Sequence, residues 1–352
     1  MPTTQPIRTE PPLLRRLQAL CHGADLAGLA QRLGSLSELV APDMMGIEAA
    51  MPRLRPEASA VERSASHLLD LGGKRLRPMC VALSSRLGAG FDSRARELAI
   101  AVELVHAATL LHDDVVDVGE TRRGAPAARL IFGNAVSIFA GDWLLIDALK
   151  RVRAADVEGV LERLLDVIEE MILAESLQLE RRGRLDTTEA HWLSIVEGKT
   201  AALFRWAMYA GARAGGVDPD TCETLERFGA DLGIAFQAID DLLDLAGDPE
   251  RTGKTLFADL REGKLTYPVI VSIERDPDLA AIIDEIVRSE SPDPRRCRDA
   301  LRAIERTGSL DDGRRLALRH AERAKRSLRA LAPSRARDAL ETIADATVNR
   351  PA

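Results

Sequence analysis

The chain has 352 residues with a formal charge of -7; 46% of them are hydrophobic and only 3% aromatic. The acidic balance excludes general nucleic-acid binding, and four cysteines scattered without CxxC spacing exclude a zinc finger or a disulfide framework. Sparse aromatic and β-branched runs, with no sustained period-2 alternation, favour helices over sheets.

Residues 1–12, with Pro2, Pro6, Pro11 and Pro12, read as a disordered arm lacking the apolar run of a secretory signal. Leu13–Val40 reads as one or two amphipathic helical pieces broken around Gly23 and Gly34. Residues 1–42 are therefore expected to form an N-terminal extension, partly disordered or helical. From Asp43 on, helical patterns alternate with short breaks at Gly72-Gly73, Gly88–Asp92, Gly119–Pro126, Gly183–Thr188, Gly215–Pro219 and Gly247–Gly253, none long enough for an interdomain linker. Residues 43–352 are expected to be one all-α domain, a bundle of roughly ten or more helices around a cavity. The arginine-rich stretch Arg314–Arg337 carries leucine and alanine at helical spacing and reads as the solvated face of an outer helix. With no apolar stretch of ~18 residues, no transmembrane segment is expected. The default location is a reducing cytoplasm, with peripheral contact to a membrane surface left open.

Two aspartate clusters stand out, Asp113-Asp114-Val-Val-Asp117 and Asp240-Asp241-Leu-Leu-Asp244. Carboxylates at i and i+4 share a helical face, so each cluster offers converging hard oxygens suited to magnesium. An acidic face is ordinarily just solvated. These clusters, however, end the apolar runs Leu98–His112 and Phe228–Ile239, which read as helices buried nearly all round. Buried acids need compensation, so the clusters are expected to share cations across a cavity.

A metal-held diphosphate also needs basic partners. Gly72-Gly73-Lys74-Arg75-Leu76-Arg77-Pro78 combines open backbone with cations, Lys74 and Arg77 lying one turn apart if a helix starts there. Arg122-Arg123 follow the first motif, and arginine bonds two phosphate oxygens at once. Three lysines follow glycines: Lys199 before Thr200, Lys254, and Lys264. Gly-Lys-Thr also ends a Walker A loop, but Leu193 and Asp248 stand where that loop needs glycine. His106, two turns before Asp113 on the same face, reads either as a satisfied core residue or as one facing the cavity.

These residues resemble the trans-isoprenyl diphosphate synthase (polyprenyl synthetase) family from about Asp43 to the C-terminus. The likeness rests on five motifs in order: Gly-Gly-Lys-Arg-Leu-Arg-Pro; His-Asp-Asp-Val-Val-Asp with the later Arg-Arg-Gly; Gly-Lys-Thr; Phe-Gln-Ala-Ile-Asp-Asp-Leu-Leu-Asp; and Gly-Asp-x4-Gly-Lys with Gly-Lys-x-Thr-Tyr-Pro. The resemblance implies that Asp113, Asp114, Asp117, Asp240, Asp241 and Asp244 serve Mg2+, three ions per site, two on the first motif and one on the second. It implies that Arg122, Lys199, Thr200, Gln237, Lys254 and Lys264 contact the allylic diphosphate or flank the developing cation. Lys74, Arg77, His106 and Arg123, with Gly73 and Arg75 completing the loop, match the site for isopentenyl diphosphate. It further implies the isoprenoid synthase fold and a homodimer.

In the family a bulky aromatic four or five residues before the first aspartate, about 7 Å along the helix, closes the product pocket. Thr109 and Ala108 stand there, with Val105 below, and no aromatic occurs between Asp92 and Phe132. A long-chain all-trans product of about C30–C50 is expected from farnesyl or geranylgeranyl diphosphate, at 1.5 Å of added helix depth per residue left open. The alternative is a short-chain farnesyl or geranylgeranyl diphosphate synthase. A class I terpene cyclase would replace the second aspartate motif, and a non-catalytic subunit would have lost one. Trp192, where tyrosine is common in the family, and the missing glycine near Ala174 are departures.

Overall fold

A computed structural model describes residues 27–53, 57–247, 257–289 and 293–350. The expected arm at 1–12, the break at Gly23, and Asp248 and Lys254 lie outside the described residues.

The chain is all-α, as its composition predicts. It begins with α1 (Ala27–Ala50) and continues with α2 (Ala60–Asp70), α3 (Leu76–Ser85) and α4 (Ser93–Val116). The two-residue strands β1 (Thr121–Arg122) and β2 (Ala125–Pro126) then precede α5 (Ala128–Phe132), α6 (Asn134–Ala155), α7 (Val160–Arg181) and α8 (Glu189–Val196). After a π-helical turn at Glu197–Ala201 come α9 (Ala202–Ala214), α10 (Pro219–Ala246), α11 (Ala258–Arg261), α12 (Tyr267–Arg275), α13 (Leu279–Arg288), α14 (Pro294–Thr307), α15 (Ser309–Ser327) and α16 (Arg335–Val348). The β1–β2 ribbon is the sole sheet among the described residues.

Two compact units form. One comprises the described part of Met1–Leu161 with Ala207–Glu223 and Leu331–Thr342; the other comprises Glu162–Trp206, Thr224–Ala330 and the described part of Ile343–Ala352.

In the first unit, α1 departs from expectation. It runs unbroken through Gly34, Pro42 and position 43. Leu29, Leu33, Leu36, Val40, Met44 and Ile47 are buried at three- and four-residue spacing. That continuous apolar stripe outweighs the roughly 1 kcal/mol that a mid-helix glycine costs. Ser59 and Glu62 form a reciprocal capping box that starts α2. Asp92 caps α4, accepting from the Ala95 N–H at 2.9 Å. As the sequence suggests, α4 is buried nearly all round: Leu98, Ala99, Ile100, Ala101, Val102 and Leu104 have no exposed surface. It packs on α6, where His112 lies so close to Gly141 that a Cβ there would come within 2.2 Å of its Nε2.

In the second unit, one apolar cluster joins α8, α10, α12, α13, α14 and α15, with Ile234, Ile239, Ile270, Ile283, Ile304 and Ala317 at its centre. On α15 the small residues Gly313, Ala317, Ala321 and Ala324 face inward, while Arg314, Arg315, Arg319, Arg323 and Arg326 are exposed. The arginine-rich stretch is thus a solvated face.

Candidate active site

In the first unit the aspartate motif occupies the last turn of α4. Asp113 and Asp117 are half-buried, whereas Asp114 is only 1% exposed. Asp114 Oδ1 accepts from Arg122 Nε at 2.9 Å and from Nη2; its Oδ2 is buried without a partner among the described residues. Arg122 thus closes a short ring between helix end and ribbon. Arg129 latches the same loop by donating to the carbonyls of Gly119 at 2.6 Å and Val118 at 2.5 Å.

The ribbon explains how Arg123 is presented. Arg122 pairs with Ala125, leaving Arg123 and Gly124 as the two central turn residues, with φ of 55° and 80°. Such a turn needs left-handed backbone at both positions, and the arginine accepts that strain. Its guanidinium lies against Gly73, where an added Cβ would sit 3.0 Å from Nη2. Gly73 is therefore needed for close approach, and the two sequence groups meet.

The Gly-Gly-Lys-Arg loop departs from the expected helix start. α3 begins at Leu76 after Arg75 in left-handed conformation, φ 50°, so Lys74 is exposed and outside the helix. Arg75 is buried, its Nε bonded to Glu48 at 2.6 Å and its Nη1 to Glu103 at 2.5 Å. Burial opposes its charge, yet the two carboxylates raise its pKa. Arg75 thus serves the loop as an internal counter-ion to Glu48 and Glu103. Burial draws Arg77 down to about 10, against Glu103. The same burial, with Arg77, Arg123, Arg122 and Arg75 nearby, holds His106 well below its ordinary value. His106 is thus neutral among cations, and its carbonyl accepts from the Thr109 hydroxyl at 2.9 Å. Val105 and Ala108 are buried on α4 and Thr109 is half-buried.

In the second unit the motif lies near the end of α10. Asp240 is half-buried; Asp241 and Asp244 are each 2% exposed. Asp241 accepts from Trp192 Nε1 and Gln237 Nε2, both at 2.8 Å. Asp244 Oδ1 accepts from the backbone N–H of Ala258 at 3.0 Å and of Asp259 at 3.4 Å, capping α11. Burial, with Asp259 and Asp240 nearby, pushes Asp241 up to about 7. Asp114, Asp241 and Asp244 each accept from protein donors, because burial requires a carboxylate to be answered locally.

The π-turn carries Lys199 and Thr200, which bond to two different helices, α7 and α10. Lys199 Nζ donates to Glu175 and, at 2.7 Å, to Gln178, both on α7. Thr200 Oγ1 donates to Gln237 Oε1 at 3.0 Å, and Gln237 hands the chain on to Asp241. Gly198 permits the turn, since a Cβ there would meet the Ala174 Cβ at 2.6 Å and the Glu170 carbonyl at 2.9 Å. Lys264 pairs with Glu262 at 2.7 Å. Glu175 and Gln178 escaped the sequence reading, although their one-turn spacing on an apolar helix was a usable signal. Glu48 and Glu103 had none, because their partner is remote in sequence.

Among the described residues no three His, Cys, Asp or Glu side chains form a metal cage by themselves. The donor set nevertheless fits magnesium, which binds through one or two carboxylates plus substrate phosphates. Asp113, Asp117 and Asp240 are the half-buried carboxylates of the two motifs.

A family model described as Polyprenyl synthetase matches residues 58–304. Over 294 residues the chain is 37% identical to a protein of Methanothermobacter thermautotrophicus described as a short chain isoprenyl diphosphate synthase, covering 82% of this chain and 90% of that protein. It is 34% identical over 322 residues to the octaprenyl diphosphate synthase of Escherichia coli, covering 90% and 99%. A crystal structure of polyprenyl synthase from Caulobacter crescentus, complexed with calcium and isoprenyl diphosphate, matches with a TM-score of 0.81 at 36% identity, covering 99% of this chain and 100% of that one.

Proposed function

Because the chain belongs to the polyprenyl synthetase family and is a prenyltransferase, we propose that it extends farnesyl or geranylgeranyl diphosphate by successive additions of isopentenyl diphosphate to a long-chain all-trans polyprenyl diphosphate of about C30–C50, the depth that small residues leave open along a helix rising 1.5 Å per residue. The observation that carries the length is the apolar α4 face leading to Asp113, where buried Ala108 and Val105 replace any aromatic stopper.

Asp113 and Asp117 would hold two Mg2+ ions and Asp240 a third, in service of the allylic diphosphate. Bound magnesium neutralises the charge that grows on diphosphate as its C–O bond breaks. Lys199 and Lys264, with Lys254 of the matching sequence motif, supply positive charge to the same leaving group, which is most effective where it is placed before the reaction begins. Arg122 pairs with Asp114 and keeps the loop closed. Lys74, Arg77 and Arg123 bind isopentenyl diphosphate, and neutral His106 donates or accepts a hydrogen bond there without competing for the anion. Thr200 and Gln237 line the allylic position through their hydrogen-bonded chain. The apolar α4 face excludes water from the allylic cation until the double bond of isopentenyl diphosphate attacks it, forming the new C–C bond, after which a proton passes to the released diphosphate and the double bond is restored.

We place the enzyme in the cytoplasm as a homodimer. Buried free thiols at Cys80, Cys222 and Cys297 support a reducing compartment. Among the described residues no helix is long and apolar enough to cross a membrane. Leu130 and Ile131 on α5, with Phe139, Trp143 and Ile146 on α6, expose an apolar surface suited to a second copy.

The test is incubation with farnesyl diphosphate, isopentenyl diphosphate and Mg2+, with products read by mass spectrometry. Products of C30 or longer are expected; a ladder ending at C20 would assign the short-chain alternative.

A further inference from the structure

Arg350 follows α16 and belongs to none of the motifs. Its guanidinium stacks on Phe236 of α10, 4.1 Å from the ring centroid. Nη2 donates to the Phe236 carbonyl at 3.1 Å and Nε to the Thr347 carbonyl at 3.0 Å. Nη1 is buried and, among the described residues, has no acceptor. A buried cationic donor without an acceptor is costly, and a ligand oxygen would offset that cost. Phe236 and Asp240 stand at i and i+4, on one face of α10. Burial lowers Arg350 to about 10, and the Asp240 carboxylate is the charge that opposes this.

We infer that Arg350 is an unassigned diphosphate-binding residue, its Nη1 donating to an oxygen of the allylic diphosphate served by Asp240, with the Phe236 ring and two carbonyls fixing the guanidinium plane. The inference rests on the role proposed above for Asp240. It has a signature that simple capping of a helix end lacks. Arginine and magnesium both answer the negative charge of Asp240, so removing the arginine weakens diphosphate binding while leaving the carboxylate more attractive to the metal.

The experiment compares Arg350→Met, Arg350→Lys and Asp240→Ala in the full chain, measuring KM for farnesyl and isopentenyl diphosphates, the half-activating Mg2+ concentration and the melting temperature. Arg350→Met is expected to raise the farnesyl diphosphate KM about tenfold, the loss of one charge-assisted bond. The isopentenyl diphosphate KM stays within about twofold and the Mg2+ requirement is unchanged or lower. Arg350→Lys, keeping charge but losing the planar fork, falls between. An unchanged farnesyl diphosphate KM overturns the inference, as does a joint rise of both KM values and of the Mg2+ requirement with a lowered melting temperature. Full turnover by Asp240→Ala would remove the metal-diphosphate reading itself; lost turnover there, with wild-type kinetics in Arg350→Met, removes only the arginine's role.

Discussion

Trp192 Nε1 donates to Asp241 Oδ2 across 2.8 Å, joining α8 to the second aspartate motif through a side chain buried to 6% exposure. The same ring packs on Tyr267 with centroids 5.2 Å apart. Trp192→Phe keeps much of the packing and removes the donor. It should lower unfolding free energy by about 1–3 kcal/mol, the penalty of leaving a buried acceptor one bond short. A urea titration measures this, and an unshifted midpoint would show that the bond contributes nothing.

The aspartates should separate into two classes. Asp113→Ala, Asp117→Ala and Asp240→Ala should each cut kcat by roughly a hundredfold or more, because they remove charge stabilisation of the leaving group. Asp244→Asn should instead lower stability by about 1 kcal/mol through a weakened cap of α11. Steady-state rates set beside thermal melts decide the matter. Equal behaviour of the two classes would refute the division.

Ala108→Phe should shorten the main product, because a ring enters the α4 face five residues before Asp113. Overpacking at this buried position should also cost about 1–3 kcal/mol. Mass spectrometry of the products gives the answer, and an unchanged ladder would mean that the chain grows along another wall.

His106 gives a pH dependence whose sign follows from its neutral native form. Its pKa is lowered well below 6.5 on folding. Below 6.5 the unfolded chain takes up the proton first, so ν_U exceeds ν_N and stability rises with pH there. The substrate-free protein should therefore lose stability as pH falls from about 6.5 toward the native value, and His106→Gln should flatten that slope. Denaturant titrations at about pH 5 and pH 7.5 compare the two proteins. Parallel slopes would contradict the assignment.

Phe139, 60% exposed on α6 beside Trp143 at 38%, anchors the proposed dimer surface. Phe139→Glu should shift the light-scattering mass toward one chain. A wild-type protein that is already monomeric would remove the basis of the proposal.

Helical class, the buried character of α4 and α10, the solvated face of α15 and the two aspartate motifs were legible from the sequence. Each depends on spacings of three or four residues along one helix, and such spacings are local. The break expected at Gly34 was misread because a single mid-helix glycine costs only about 1 kcal/mol against a long buried stripe, as α1 shows. The tertiary structure alone decided which donors meet three of the carboxylates: Arg122 for Asp114, Trp192 and Gln237 for Asp241, the start of α11 for Asp244. It likewise turned Arg75 inward to Glu48 and Glu103 and set Arg350 on Phe236. Two charges far apart in sequence become partners only when packing removes water from between them, and the desolvation that enforces their pairing exists only once the chain has folded.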